Sequence, residues 1–233
     1  MTNNEMLTLL GTRLEDPSGD LFTNTTKLLL LNVAQDKVIQ LLNSNALIDL
    51  HHFRSNVANE NDSVLNEKFI DITSSVFTGA NTPFGGVHGI QAIKRTNSSV
   101  YYHKISFEQY TDWSNGSVSI SFQSPVYWFR GNRVYISDND ALDVYYIKKP
   151  TAIVADDNSS SLNSIYHDAI LEFAEAECWR TVNQQDRQAD AQNRAIAMIT
   201  SHNESSVVMD YVSGMVPYNT SGDLVIQERV VGG

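Results

Sequence analysis

The sequence is most informative at residues 126–137, which read Val-Tyr-Trp-Phe-Arg-Gly-Asn-Arg-Val-Tyr-Ile-Ser. Two runs rich in aromatic and β-branched residues flank Gly131-Asn132, and a two-residue Gly-Asn loop is typical of a type I′ or II′ β-hairpin. Closure of this hairpin predicts three cross-strand pairs, Phe129 with Val134, Tyr127 with Ile136, and Trp128 with Tyr135. The last pair lies on the opposite face from the first two. Both faces therefore carry apolar bulk, and neither is expected to be fully solvated.

Apolar residues recur with a period of two, as in β-strands, throughout the region around the hairpin, from about residue 66 to residue 150. Asn115-Gly116 predicts a second turn of the same kind. The predicted strands span residues 68–72, 87–94, 100–105, 117–122, 126–130, 133–137 and 142–148. We expect these strands to form an antiparallel β domain.

Segments with apolar residues at helical spacing lie both before and after this region. Predicted helices span residues 4–14, with Asn3 or Asn4 as N-cap, then 24–43, 164–183 and 186–201. The fold class is therefore α+β: a mainly helical bundle of about four helices from both chain ends, with an inserted antiparallel β domain and an extended C-terminal arm. The predicted domains are residues 1–65, 66–150 and 151–202, followed by the arm at 203–233.

The predicted arm is apolar although Gly214, Pro217 and Gly222 would interrupt a helix. Such a composition is unlike that of a disordered tail, which is poor in aromatic and β-branched residues. We expect the arm to order by adding to another chain, with a terminal hairpin packed on its own domain as the alternative. The residues expected to bind a partner are Val207, Val208, Met209, Tyr211, Val212, Met215, Pro217, Tyr218, Leu224, Val225, Ile226, Val230 and Val231.

Contact between subunits is predicted from elements with two apolar faces. The helix at 164–183 carries a second apolar strip besides the one that faces the core, and the hairpin carries aromatic residues on both faces. The predicted subunit-interface residues are Ile165, Ala169, Phe173, Ala176, Trp128 and Tyr135.

No constellation of catalytic, cofactor or metal-binding residues emerges from the sequence. The single Cys178 excludes a disulfide scaffold and is expected to be a small core residue. The six histidines lack metal-ligand spacing, and Asp138-Asn139-Asp140 lacks the glycine and distal glutamate of a calcium loop. Gly85-Gly86-Val87-His88-Gly89 lacks the flanking strand and helix of a phosphate cradle. We therefore expect no cofactor and no metal.

The net charge and the polar composition of the sequence indicate which classes of partner the protein is expected to bind. A formal net charge of −11 disfavours binding to nucleic acid by phosphate neutralisation. Asn, Ser and Thr make up 60 residues, while charged residues are only 18%, a composition expected where much of the surface touches other protein. No secretory signal and no apolar run long enough to cross a membrane is found, so no membrane partner is expected.

Several short motifs, in order, resemble head-to-tail adaptor (connector) proteins of tailed bacteriophages. They are Asp16-Pro17-Ser18-Gly19 with Phe22-Thr23, Leu31-Asn32-Val33-Ala34-Gln35, the hairpin, Tyr145-Tyr146-Ile147-Lys148-Lys149-Pro150, and Tyr166-His167. The resemblance covers roughly residues 5–50 and 126–200. It departs where Asp71-Ile72-Thr73-Ser74 replaces a frequent Leu-Pro-x-Asp, and residues 73–115 are longer than usual.

The resemblance implies a non-enzymatic virion protein that forms a ring, typically dodecameric, between the portal and the tail. In such a ring the bundle forms the body, the arm reaches into portal clefts, a downstream tail or neck protein docks below, and DNA passes through the lumen without sequence-specific binding. The implied location is the head–tail interface, after synthesis in the bacterial host cytoplasm. Short-tailed and crAss-like phages are the suggested sources.

Two alternatives stay open from the residues. A tail-fibre or baseplate module is favoured by the tyrosine-rich β region, and a hydrolase would act through carboxylates such as Asp156 and Asp157.

Overall fold

The computed structural model of the chain describes residues 1–65, 67–114 and 125–213. The helices are α1 (Asn3–Arg13), α2 (Asn24–Leu41), α3 (Phe107–Ser114), α4 (His167–Thr181) and α5 (Gln185–Ser213). The strands are β1 (His51–Val57), β2 (Glu60–Asp62), β3 (Glu67–Asp71), β4 (Ile90–Arg95), β5 (His103–Lys104), β6 (Val126–Arg130), β7 (Arg133–Ile136) and β8 (Leu142–Ile147). The expected mixture of helices with antiparallel sheets is confirmed.

The chain divides into two compact units. Among the described residues, 1–48 and those from Ala152 onward form the helical unit, and those within 49–151 form the β unit. The chain therefore leaves the helical unit once, builds the β unit, and returns.

Helix α4 is the centre of the helical unit, because it contacts α1, α2 and α5. With neighbours on several sides, nearly the whole helix circumference is buried. The buried apolar residues of α4 are Ala169, Ile170, Leu171, Phe173, Ala174, Ala176, Cys178 and Trp179.

Asparagine side chains tie the returning segments to the N-terminal helices. Asn32 on α2 donates to the carbonyl of Ile153 at 2.9 Å and accepts from its N–H at 2.8 Å. Asn203 on α5 donates to the carbonyl of Leu41 at 2.9 Å and accepts from the N–H of Asn43 at 3.0 Å. The latter pair satisfies backbone groups that the end of α2 would otherwise leave without partners.

Helix α1 begins one residue earlier than expected. Thr2, and not Asn3 or Asn4, is its N-cap, and Thr2 and Glu5 form a capping box. The amides of Asn3 and Asn4 donate to the carbonyls of Asn158 and Asp156, which the sequence pattern alone could not indicate.

The β unit contains a three-stranded sheet in the order β1-β8-β4 and a five-stranded sheet in the order β2-β3-β7-β6-β5. All pairs are antiparallel except β5 with β6, which is parallel and differs from the expected wholly antiparallel arrangement. One apolar core draws on both sheets, with Ile93, Leu142 and Val144 from the first and Tyr127 and Val134 from the second.

A second, smaller core lies on the other face of the five-stranded sheet. It contains Phe69, Trp128 and Tyr135, and α3 covers part of it by placing Tyr110 on Trp128 with ring centroids 3.8 Å apart. The sheet thus buries apolar residues on both faces, as predicted from the hairpin.

The predicted hairpin at residues 126–137 is confirmed. All three predicted cross-strand pairs are present in the register of β6 with β7. Gly131 has φ +60°, while Asn132 is not among the residues with positive φ, and this combination is that of a type II′ turn.

Two parts of the β region differ from the sequence-based prediction, and a third is not among the described residues. Strands β1 and β2 extend the β unit toward the N-terminus, so that it begins at residue 49 and not at residue 66. Residues 107–114, which lie between two predicted strands and belong to no predicted element, form the helix α3. The predicted strand at 117–122 and the turn at Asn115-Gly116 lie outside the described residues.

Candidate interaction sites

The predicted interface residues on α4 are mostly inside the helical unit. Ala169, Phe173 and Ala176 are buried, whereas the side chain of Ile165, just before α4, is 52% exposed. The second apolar strip of α4 is covered within the chain, because α2 and α5 both pack on this helix. The inference that this strip needs a second subunit is therefore not required by the structure.

The two predicted interface residues of the hairpin are also buried. Trp128 lies between Tyr110 and Tyr135 in a row of near-parallel rings, with centroids 5.8 Å apart on the Tyr135 side. The residue that covers Trp128 comes from α3, which was not predicted as a helix. Of the six predicted interface residues, Ile165 alone presents a large apolar surface in this conformation.

Residues 203–213 of the predicted arm are helical. Helix α5 continues without interruption to Ser213, because the first helix-breaking residue in this stretch is Gly214. Val207, Val208, Met209, Tyr211 and Val212 therefore belong to α5 and not to an extended segment. Outside the described residues lie Met215, Pro217, Tyr218, Leu224, Val225, Ile226, Val230 and Val231.

The carboxylates considered for catalysis hold the return segment to α1. Asp156 accepts from the side-chain amide of Asn3 at 2.8 Å and from that of Asn158 at 2.6 Å, and Asp157 accepts from Asn4 at 2.9 Å. The hydrogen bonds from Asn158 and Asn3 lower the pKa of Asp156. These contacts give both carboxylates a structural role.

The acidic loop that resembles the start of a calcium site is neutralised by an arginine. Arg95 donates to Asp138 at 2.9 Å and lies 2.5 Å from a carboxylate oxygen of Asp140. Tyr102 also donates to Asp138, and burial together with this bond raises the pKa of Tyr102. The guanidinium thus neutralises both carboxylates. The loop joins β7 of the five-stranded sheet to β8 of the three-stranded sheet, so it is not the loop of a hairpin between neighbouring strands that its sequence suggests.

Cys178 is buried in the helical unit as expected, and burial raises the pKa of its thiol to about 12. A thiol with such a pKa is a poor nucleophile. Within the described ranges, no group of three or more His, Cys, Asp or Glu side chains is arranged to hold a metal ion.

An ion-pair network that the sequence did not indicate links three helices of the helical unit. Glu172 on α4 is buried and accepts from Arg13 on α1 at 2.7 Å and from Arg194 on α5 at 2.9 Å. Glu175, one turn later, is more distant, 3.9 Å from Arg13 and 3.4 Å from Arg194. The spacing of Glu172 and Glu175 on one helix was visible in the sequence, but their arginine partners are far away along the chain.

The β unit has a surface groove of about 550 Å³ at the tip of the hairpin. It is lined by the turn after β2, with Val64 and Leu65, and by Arg130 and Arg133 at the ends of β6 and β7. The groove lies on the face of the five-stranded sheet that α3 partly covers.

Comparison with known proteins gives one family. The protein-family model described as SU10 adaptor protein matches residues 1–212. None of the curated proteins compared with the chain matches it. Among the described helices, none is both long and apolar enough to span a membrane.

The family match covers most of the chain, both helical segments and the β unit included. It agrees with the resemblance to phage adaptors and supports a structural virion component that interacts with portal and tail proteins. The chain belongs to the SU10 adaptor protein family.

Proposed function

We propose that this protein forms a dodecameric ring between the portal and the tail of a phage, where it extends the DNA channel and docks the next tail component. The observation that carries the proposal is the adaptor-family match over residues 1–212. A short-tailed or crAss-like phage is the proposed source. The protein would be made in the host cytoplasm and act at the head–tail interface.

The excess of negative charge in the chain is compatible with a channel through which DNA passes. Outside the β unit, the sequence has 17 Asp and Glu but only seven Lys and Arg. An excess of carboxylates on a lumen would repel the DNA backbone and let it slide. We assign no individual residue to the lumen.

Residues 214–233 are the proposed portal-binding arm, with the end of α5 leading to them. Their sequence combines Tyr218, Leu224, Ile226 and other apolar residues with Gly214 and Pro217. Apolar surface of this kind is stabilised by contact with a partner protein.

Removal of residues 214–233 tests this assignment. The truncation ends at Ser213, so it leaves every described helix complete. We expect loss of portal binding, measured by co-sedimentation, with unchanged helix content in far-UV circular dichroism. Unaltered binding of the truncated chain to the portal would contradict the assignment of residues 214–233 as the portal-binding arm.

The ring itself is tested by electron microscopy of the chain mixed with its portal. A twelve-fold ring supports an adaptor, whereas a trimeric spike supports a fibre or baseplate module. The tyrosines that favoured such a module include Tyr102, Tyr127, Tyr135 and Tyr146, which are buried in the β unit. Tyr101 of the same region is 51% exposed, so only part of this set could serve such a module.

A further inference from the structure

The groove at the hairpin tip is lined mainly by polar residues, but the turn after β2 adds two exposed apolar residues, Val64 and Leu65. The side chain of Val64 is 88% exposed, and Phe107, at the start of α3, is 43% exposed. Leu65 borders the same groove. Scattered exposed apolar residues are ordinary, but Val64 and Leu65 are adjacent and border one concave surface, and Phe107 lies beside Arg130 at its edge.

The charged side chains of the groove are satisfied within the β unit, with one exception. Asp62 accepts from the backbone of Val64 at 3.0 Å, from the Tyr135 hydroxyl at 2.9 Å and from Arg133 at 3.2 Å. Asp71 accepts from both the N–H and the hydroxyl of Thr73.

Arg130 is the exception. Its guanidinium lies 5.5 Å from the centroid of the Phe107 ring and forms no ion pair with any residue of the described ranges. An occupant of the groove should therefore offer apolar surface together with a carboxylate for Arg130.

Helix α5 of the same sequence has such a surface. The side that faces the helical unit buries Ala191, Ala195 and Ile199, and the opposite side is exposed over several turns. At helical spacing, that exposed side presents Asp186, Ala189, Asp190, Ile196 and Ala197. Neither of its two carboxylates forms an ion pair within the described part of the chain, although the charge of Asp190 contributes to the raised pKa of the neighbouring Arg194. The alanines would allow close approach.

A ring requires each copy to present two different surfaces that complement each other, because its contacts are head-to-tail. We infer that the hairpin-tip groove of one copy receives the exposed side of α5 from the next copy, with Arg130 facing Asp186 and Asp190. The binding mode is that of a helix in a groove. This inference rests on the proposed ring function.

Charge reversal in the full-length chain tests the contact. The variants are Arg130→Glu, the double variant Asp186→Lys/Asp190→Lys, and the combination of all three substitutions. Lys104→Glu is the matched control, because Lys104 is an exposed lysine of the β unit that lies over Phe129 and outside the groove. Each protein is mixed with its portal, and the number of adaptor copies per portal is measured by native mass spectrometry.

We expect Arg130→Glu and the double lysine variant each to raise the concentration needed for half-complete rings by about tenfold. The combined variant should recover most of this loss, and Lys104→Glu should assemble like the parent chain. Unchanged melting temperatures would show that the variants are folded.

Three results would overturn the contact. They are normal rings with Arg130→Glu, no recovery in the combined variant, and loss of binding of even a single copy to the portal, which would assign the groove to the portal instead. If the parent chain forms no ring with the portal, the proposed function fails as a whole. Its failure is thus distinguishable from failure of this contact alone.

Discussion

Asp16 and Lys27 show how single residues set the connection between α1 and α2. The Asp16 carboxylate accepts from the N–H groups of Leu21 and Phe22, at 3.0 and 2.8 Å. The ammonium of Lys27 donates to the carbonyl of Asp16 at 2.6 Å and lies 3.1 Å from its carboxylate. Both side chains are almost fully buried, so this ion pair fixes the loop from inside.

The pKa of Asp16 makes the stability of the protein depend on pH. Hydrogen bonds from Leu21 and Phe22, together with Lys27, lower this pKa from 3.8 to about 2. A carboxyl whose pKa is lower in the folded state stabilises the fold fully above its unfolded pKa, and this contribution is lost as pH falls toward the folded pKa. The relevant window is therefore from pH 4 down to about pH 2.

We expect Asp16→Asn to lower the free energy of unfolding at neutral pH. The difference from the parent chain should shrink as pH falls through this window, because the parent carboxyl then becomes neutral as well. Urea unfolding of both proteins at a series of pH values measures this difference in the free energy of unfolding. Asp20→Asn in the same loop is the control, and a difference that stays constant down to the lowest pH would contradict the assignment.

Individual residues were predictable from sequence where their type matches their usual environment. Cys178 was expected in the core and is buried there. Lys27 could not have been placed in the core, because lysine is rarely buried and its partner comes from a loop. Arg95 likewise could not be assigned to Asp138 and Asp140, which follow it by more than 40 positions.

At the scale of elements, the hairpin β6–β7 was fully predictable because turn chemistry and cross-strand pattern act over neighbouring residues. Strand β1 was missed, since this edge strand alternates between exposed and half-buried positions and contains His51, His52 and Arg54. Helix α3 was missed because its aromatic residues are as typical of strands.

The turn residue Gly131 should be sensitive to any side chain. A Cβ there would meet no atom within 4 Å, so the cost of Gly131→Ala comes from the positive φ alone. We expect a loss of about 1 kcal/mol in the free energy of unfolding. Asn132→Ala is the paired control, and an equal loss in both variants would argue against a backbone origin.

Glu172 should be the main link among α1, α4 and α5. Glu172→Gln would remove the buried carboxylate that lies closest to both arginines, and we expect the free energy of unfolding to fall by about 2 kcal/mol. Glu175→Gln should cost less, because its distances to the same arginines are longer. Urea unfolding gives both values, and hydrogen exchange should report faster opening of α5 in Glu172→Gln only.

At the scale of the whole molecule, the structure gives a different explanation for the two apolar faces of α4. The sequence suggested that α4 has more apolar surface than one chain can cover, but α1, α2 and α5 cover it. The division into a helical and a β unit was partly predictable from the change of hydrophobic period. Which elements pack on which could not be predicted, because that depends on contacts between residues distant in the sequence.

We expect the isolated chain to be a monomer that forms rings only on the portal, since its large buried side chains need no second copy. Light scattering of the purified protein gives the mass directly. A stable dodecamer in the absence of portal would contradict this prediction.

The insertion of the β unit between the two halves of the helical unit has a consequence during translation. Helices α1 and α2 emerge from the ribosome first, yet α4, which covers their apolar sides, is synthesised only after all of residues 49–151. The early helices must therefore remain uncovered, or be held by chaperones, while the β unit folds. Slow translation through that stretch would prolong the interval in which nascent chains can aggregate.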